Sequence, residues 1–307
     1  MSIGIGLGVA RFPFEKVDQF WEWVQLCESG GVDSLWQTDR LVSKQPYLEC
    51  MSTMAAIAGA TRRIKFGMNV ASVGLRDPLL LAKQCASIDF LSKGRLLPAF
   101  GIGGAISGEW QAIGQTTKGR GKRADEALDI MIGLWQGKPV TYRGEYYDYT
   151  DVTISPTPHQ EALPLWIGGS SPAAIARTAR VGTGWQAGFE SPKKTGAVKK
   201  QIEVALKAEG RSIDDDHYGA GFQFHFGSND DPCYQREIIR MKQFAPERNM
   251  SHTTALGSSQ IIERINQFID EGMSKFILHP LGDSDQDLMA QTNQLIDEVL
   301  PHFDGKS

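Results

Sequence analysis

The chain has 307 residues, 41% hydrophobic and 22% charged, an ordinary globular composition with ample apolar material for a large core. Its formal net charge of −4 lacks the basic surplus that neutralises phosphate backbones, which argues against nucleic acid as a partner. No apolar run reaches the roughly 18 residues of a membrane-spanning helix, so no membrane partner is expected.

Taken in chain order, short buried-strand patterns alternate with helical ones. Residues 3–8 (IGIGLG) read as a strand, and 14–29 as a helix that Gly30 and Gly31 stop. Strands at 33–37 and 64–70 flank a helix at 48–60, and a helix at 78–91 opens on Pro78. A strand at 95–101 and a helix at 123–136 follow. Residues 138–160, rich in Tyr, Thr and Pro, break the rhythm and read as an excursion with a small hairpin, not a new domain. The alternation resumes with strands at 165–168, 184–187, 220–226 and 275–279, and helices at 172–181, 193–209, 230–244, 258–271 and 285–300. Roughly eight strand–helix steps predict an α/β fold, a (β/α)8 TIM barrel with insertions in the strand–helix loops. Residues 1–307 are expected to form a single domain, and a doubly wound open sheet is disfavoured because no G-x-G-x-x-G opens the chain.

A barrel places its chemistry at the C-terminal ends of the strands. Asp39 and Arg40 follow the second strand, Asn69 and Val70 end the third, and Gly103 and Gly104 follow the fourth. After the next strand comes Gly168-Gly169-Ser170-Ser171-Pro172, where backbone N–H groups and two hydroxyls at a helix start suit a phosphate. The same residues also make a plain helix cap. His225 and His279 are the histidines near strand ends, a position where a lone histidine is more often structural. The four cysteines, Cys27, Cys50, Cys85 and Cys233, form no C-x-x-C pair, and no H-E-x-x-H, nucleophile elbow or Walker loop is present. Metal binding is therefore not expected, and chemistry carried mainly by a bound cofactor is.

The motifs GGVDSLWQTDR (30–40), TRRIKFG (61–67), RDP (76–78), LSKGRL (91–96), LW (134–135), YRGEYY (142–147), PLWIGGSS (164–171), GTGW (182–185) and LGS (256–258) together resemble the luciferase-like monooxygenase family. Their order and spacing over nearly the whole chain carry the resemblance, since no one of them is decisive. It implies a flavin-dependent oxidoreductase using reduced FMN and oxygen on a small organic substrate, with coenzyme F-420, a deazaflavin used for hydride transfer, as the alternative. A non-catalytic flavin-binding protein is the reading from another class. The cofactor phosphate would meet Gly168, Gly169, Ser170 and Ser171, with Gly103 and Arg123 nearby. A non-proline cis peptide at Asn69-Val70 would lie beneath the ring, which Trp185 or its neighbours would also hold. Asp39 and Arg40 would border the substrate pocket. Many relatives carry histidine where this chain has Arg40, and arginine can stabilise an anion but not act as a base. Sugar-phosphate dehydrogenases of the deazaflavin branch carry glutamate where this chain has Gly104. A homodimer, a flavin reductase supplying reduced flavin, and a cytoplasmic location complete the expectations.

Overall fold

A computed structural model describes residues 2–9, 14–104, 108–244 and 252–303. Along the chain run β1 (Gly4–Val9), α1 (Val17–Ser29), β2 (Ser34–Gln37), α2 (Cys50–Ala60), β3 (Lys65–Met68), β4 (Ala71–Ser72) and α3 (Pro78–Ser92). Next come β5 (Leu96–Leu97), β6 (Ala99–Gly101), α4 (Glu109–Ala112), α5 (Arg120–Trp135), β7 (Val140–Arg143) and β8 (Asp148–Val152). The chain continues through β9 (Trp166–Gly168), α6 (Pro172–Val181), β10 (Gly184–Gln186), α7 (Pro192–Ala208) and β11 (Tyr218–His225). It ends with α8 (Pro232–Phe244), β12 (Thr254–Leu256), α9 (Gly257–Asp270), β13 (Lys275–Pro280) and α10 (Asp285–Glu298).

All strands except β7 and β8 pair in parallel in one sheet of order β4-β6-β9-β10-β11-β13-β1-β2-β3-β5, with β12 beside β11. β7 and β8 form the antiparallel hairpin expected from the 138–160 excursion. The sheet counts eleven strands because two expected strands are each broken and β12 is added. The third expected strand is interrupted at Asn69-Val70, and the fourth at Pro98, which has no N–H to give a neighbour.

The sheet is curled. Trp36 of β2 and Trp166 of β9 lie five strand spacings apart along the pairing order, roughly 24 Å if the sheet were flat. Their rings stand 6.3 Å apart, edge to face. With Ala99 and Ile277 they form a small apolar cluster distinct from the main core. The main core runs from Ile5 to Phe303 between sheet and helices. Every residue of β1 and β11 is buried, as a parallel sheet covered on both faces requires.

Helix entry is specified locally and repeatedly. Asp77-Pro78, Ser171-Pro172 and Ser191-Pro192 each put a side-chain acceptor at the cap and proline in the first turn of α3, α6 and α7. These caps sit just beyond strand ends, so they also fix where the functional loops begin. Among the described residues no helix is long and apolar enough to cross a membrane.

Candidate active site

A sharp bend follows where β3 stops; it meets the cavity wall through Asn69, whose Nδ2 faces His279, and neither Asn69 nor Val70 lines the cavity, nor do Gly103, Arg123 and residues 168–171. The Asn69–Val70 peptide is cis, as the resemblance implied, and it carries the chain into β4. The Asn69 N–H donates to the Gln37 carbonyl at 2.9 Å, which ties the bend to β2. Val70 then seats itself against two glycines. A Cβ placed on Gly101 or on Gly168 would come within 2.9 Å of a Val70 methyl. Gly168, expected to approach a phosphate, is thus small because Val70 needs the room.

Asp39 supports this bend from below. Its carboxylate takes both Arg76 guanidinium nitrogens, at 2.7 and 2.8 Å, and the Ser72 N–H at 3.1 Å. Arg76 also donates to Glu49 at 2.6 Å. The Asp39 side chain is 1% exposed, so it faces Arg76 and not the pocket it was expected to border. A buried bidentate pair of this kind positions backbone.

Arg40, the next residue, points the other way. Its guanidinium lines the cavity, is 41% exposed, and lies 3.5 Å from Glu109 of α4. Glu109 is buried and accepts the Leu41 N–H at 2.7 Å. Its role could not be read from sequence, because the loop that carries it has no strand or helix pattern. Residues 105–107 of that loop lie outside the described residues.

The cavity itself measures about 730 Å³. Gly8 and Val9 from β1, Arg40 and Tyr47 from the segment after β2, Gln223 from β11 and His279 from β13 line it, and Glu237 and Arg240 of α8 close one side. All these strand residues lie at C-terminal ends, where a parallel α/β fold opens its strand–helix loops. His279 is 4% exposed, and its ring rests on Gly8, where a Cβ would collide at 2.3 Å. Phe189 meets it edge-on with centroids 5.3 Å apart, and Asn69 Nδ2 faces its Nε2 at 3.5 Å. Burial disfavours the imidazolium and pulls the His279 pKa down to about 4, against the smaller opposing effects of the Gly8 backbone and Glu237. At neutral pH His279 is therefore an uncharged donor–acceptor in the cavity wall. Sequence reasoning left it as a structural residue, because nothing local distinguishes a histidine aimed inward from one capping a turn.

The anion-binding candidates form a second group. Gly169 has φ +110°, a backbone shape reserved for glycine, and donates its N–H to Gln186 at 3.4 Å. Ser171 caps α6, accepting the Ala174 N–H at 3.2 Å. Ser170 is half-buried, and Gly169 and Ser171 are exposed at the helix start. Trp185 is fully buried and donates its indole N–H to the Gly169 carbonyl at 2.8 Å. It shapes this loop from within and does not line the cavity. The Arg123 guanidinium lies over Tyr146 at 4.8 Å and beside Trp110 at 6.0 Å, and it also donates to Gln115, so the charge itself is held between the two rings. Gly103 has φ +71°, and a Cβ there would meet Ser72 Oγ at 2.9 Å and Trp110 Nε1 at 3.3 Å. That indole nitrogen is buried without a hydrogen-bond partner among the described residues.

These features fit a flat, anionic heteroaromatic cofactor. The start of α6 offers N–H groups and hydroxyls, Gly169 has its surface free, and an orphaned indole donor waits near the β6 end. The comparisons with known proteins agree with that chemistry at family level. A curated 5,10-methylenetetrahydromethanopterin reductase of Archaeoglobus fulgidus is 29% identical over 207 residues, covering 67% of this chain and 60% of the reductase's own length. A coenzyme F-420-dependent glucose-6-phosphate dehydrogenase of Microbacterium testaceum is 25% identical over 316 residues, 91% of each chain. The oxygenating constituent of 3,6-diketocamphane monooxygenase from Pseudomonas putida, solved with FMN, superposes with a TM-score of 0.79 at 16% identity, covering 98% of this chain and 99% of that one. The family model described as luciferase-like monooxygenase matches residues 4–285, and the chain belongs to that family.

Proposed function

We propose that the protein is an oxidoreductase that holds a deazaflavin of the coenzyme F-420 type across the ends of its strands and acts on a small organic substrate. The observation that carries this reading is the cis Asn69–Val70 bend, seated on Gly101 and Gly168, which would form the floor beneath the ring. When bound, such a cofactor supplies two-electron hydride chemistry. Gly169, Ser170 and Ser171 would hold its phosphate, and Arg123 would add charge to the same end. Asn69, Val70 and Gly103 would underlie or flank its ring. The curled sheet reads best as a closed (β/α)8 barrel, with β5 and β6 as one strand bent at Pro98. The chain reads as one domain and, by family habit, as one half of a homodimer.

This chain's own groups do the remaining work. The buried Asp39–Arg76 pair fixes the bend and therefore the floor. Arg40 presents a permanent positive charge to the cavity, suited to an anion and unable to accept a proton. His279 presents a neutral imidazole to the cavity wall.

FMN with oxygen as co-substrate is the second reading, and a flavin reductase would then be the partner. The FMN-bound oxygenase that shares this fold favours it. Equilibrium binding of FMN and of coenzyme F-420, each with the protein alone, separates the two. Tight F-420 binding with weak FMN binding supports the first proposal, and the reverse order overturns it. Ser170→Asp sets a carboxylate against the phosphate and should weaken the preferred cofactor tenfold or more, about 1.4 kcal/mol or above. Unchanged affinity would move the phosphate away from α6.

A further inference from the structure

The motif YRGEYY (142–147) belongs to the excursion that breaks the strand–helix rhythm, and none of its residues lines the cavity. It closes the β7–β8 hairpin. The hairpin runs along α5 from its last turn back to its start. At the base, a Cβ on Gly133 in the last turn of α5 would come within 3.0 Å of a Val140 methyl. At the tip, the hairpin meets Glu126 in the second turn of the same helix. Glu126 is buried, and its two carboxylate oxygens accept one N–H each, from Glu145 and from Tyr146, both at 2.9 Å. A Cβ on Gly144 would fall 2.2 Å from Glu126 Oε2, so glycine there lets the carboxylate in. Tyr149 donates its hydroxyl to Asp77, the cap of α3, at 2.8 Å. The tip is thus fixed in register at the starts of two helices.

This fixed tip carries Tyr146. Its hydroxyl fills the space beside Gly119, where a Cβ would fall at 1.9 Å, and its ring lies under the Arg123 guanidinium at 4.8 Å. Arg123 and Glu126 stand three residues apart on α5 and so share a face. The helix that supplies the arginine therefore also supplies the carboxylate that locates the ring beneath it. An aromatic face attracts a cation without offering it an oxygen acceptor. Of the five guanidinium N–H donors, one goes to Gln115, and no other acceptor among the described residues takes the rest. An unheld arginine loses its rotamer freedom when it binds an anion, whereas one already held has little left to lose.

We propose that the β7–β8 hairpin is a positioning clamp for the cofactor's anionic end: Glu126 sets the tip, Tyr146 on that tip holds Arg123, and Arg123 so held receives the phosphate. The inference rests on the reading above, in which Arg123 adds charge to the phosphate end of the cofactor. Tyr146 and Glu126 are positioning residues, because they act through Arg123.

The test compares ligands with and without the phosphate-bearing end, FMN against riboflavin and coenzyme F-420 against its phosphate-free deazaflavin core. Fluorescence titration of the full chain gives an affinity ratio for whichever pair binds, and that ratio isolates phosphate recognition. In the native protein it should be about a hundredfold, two charge-assisted hydrogen bonds' worth. Arg123→Gln should lower it about tenfold and Tyr146→Leu about fivefold, with the affinity for the phosphate-free partner changed by less than about twofold. Tyr146→Phe keeps the ring and should keep the native ratio. Added to Arg123→Gln, Tyr146→Leu should lower the ratio no further. A native ratio in Tyr146→Leu, an equal loss of affinity for the phosphate-free partner, or a further fall in the double variant would each overturn the inference and leave the proposed function standing. A native ratio in Arg123→Gln would remove Arg123 from the phosphate and the clamp with it. Failure of both pairs to bind the native protein would sink the proposed function itself, and this inference with it.

Discussion

Single side chains at the cavity make distinct and separable contributions. Arg40 is 41% exposed and only loosely paired with Glu109, so it adds little to stability. Arg40→Lys keeps the charge and loses the planar fork of donors. Turnover should fall about tenfold while the melting temperature stays within about 3 °C, since a surface pair of this kind is worth less than about 1 kcal/mol. A stability loss with normal turnover would make Arg40 a structural residue instead. His279 carries a pH signature. Its folded pKa of about 4 lies below the ordinary 6.5, so the unfolded chain takes up a proton first. Its stabilising contribution is complete above pH 6.5 and is lost as pH falls toward 4, in total about 3 kcal/mol. Urea unfolding at pH 7.5 and 4.5 should show a steeper loss for the native protein than for His279→Gln, and parallel losses would refute the assignment.

At the scale of elements, the bend between β3 and β4 depends on partners from β2 and α3's approach. Asp39→Asn removes half of a bidentate pair and leaves the Arg76 guanidinium buried with only Glu49 as a charged partner. Breaking such a pair costs about 3 kcal/mol, which the shift of the urea midpoint would register, whereas a change below about 1 kcal/mol would mean that Glu49 and water suffice. Here the sequence was partly legible. Strand–helix alternation, the proline-led helix starts and the hairpin at 138–160 were all visible as periodicity and punctuation. The strand end at Asn69-Val70 was legible from the residues, but its cis bond came from resemblance to a family, since no local pattern marks it. The direction of Asp39 was not legible, because adjacent residues past a strand end point to opposite sides and only the fold decides which side holds Arg76. His279, Gln223 and Glu237 were hidden for a related reason. Their meaning comes from the register of β11 against β13 and from α8 folding over them, contacts that join distant segments.

At the scale of the whole molecule, one apolar core reaches from Ile5 in β1 to Phe303 beyond α10. Trp23, Trp36, Trp166 and Trp185 lie in α1, β2, β9 and β10, so tryptophan fluorescence samples both halves of the chain. If that core is a single cooperative unit, fluorescence and far-ultraviolet circular dichroism should give coincident urea transitions. Two separated transitions would divide the chain into independently folding parts.

The seat of Val70 on Gly101 and Gly168 also sorts the molecule into what can be redesigned and what cannot. Three strand ends are keyed together there, so one added methyl at either glycine must push the bend and with it everything that rests on it. One stretch of wall carries no such constraint: Val42, Ser43, Gln45 and Tyr47 come from one irregular segment. Libraries seeking new specificities should therefore leave positions 70, 101 and 168 alone and diversify these four. A common chassis with exchangeable walls is how one fold can serve many unrelated substrates.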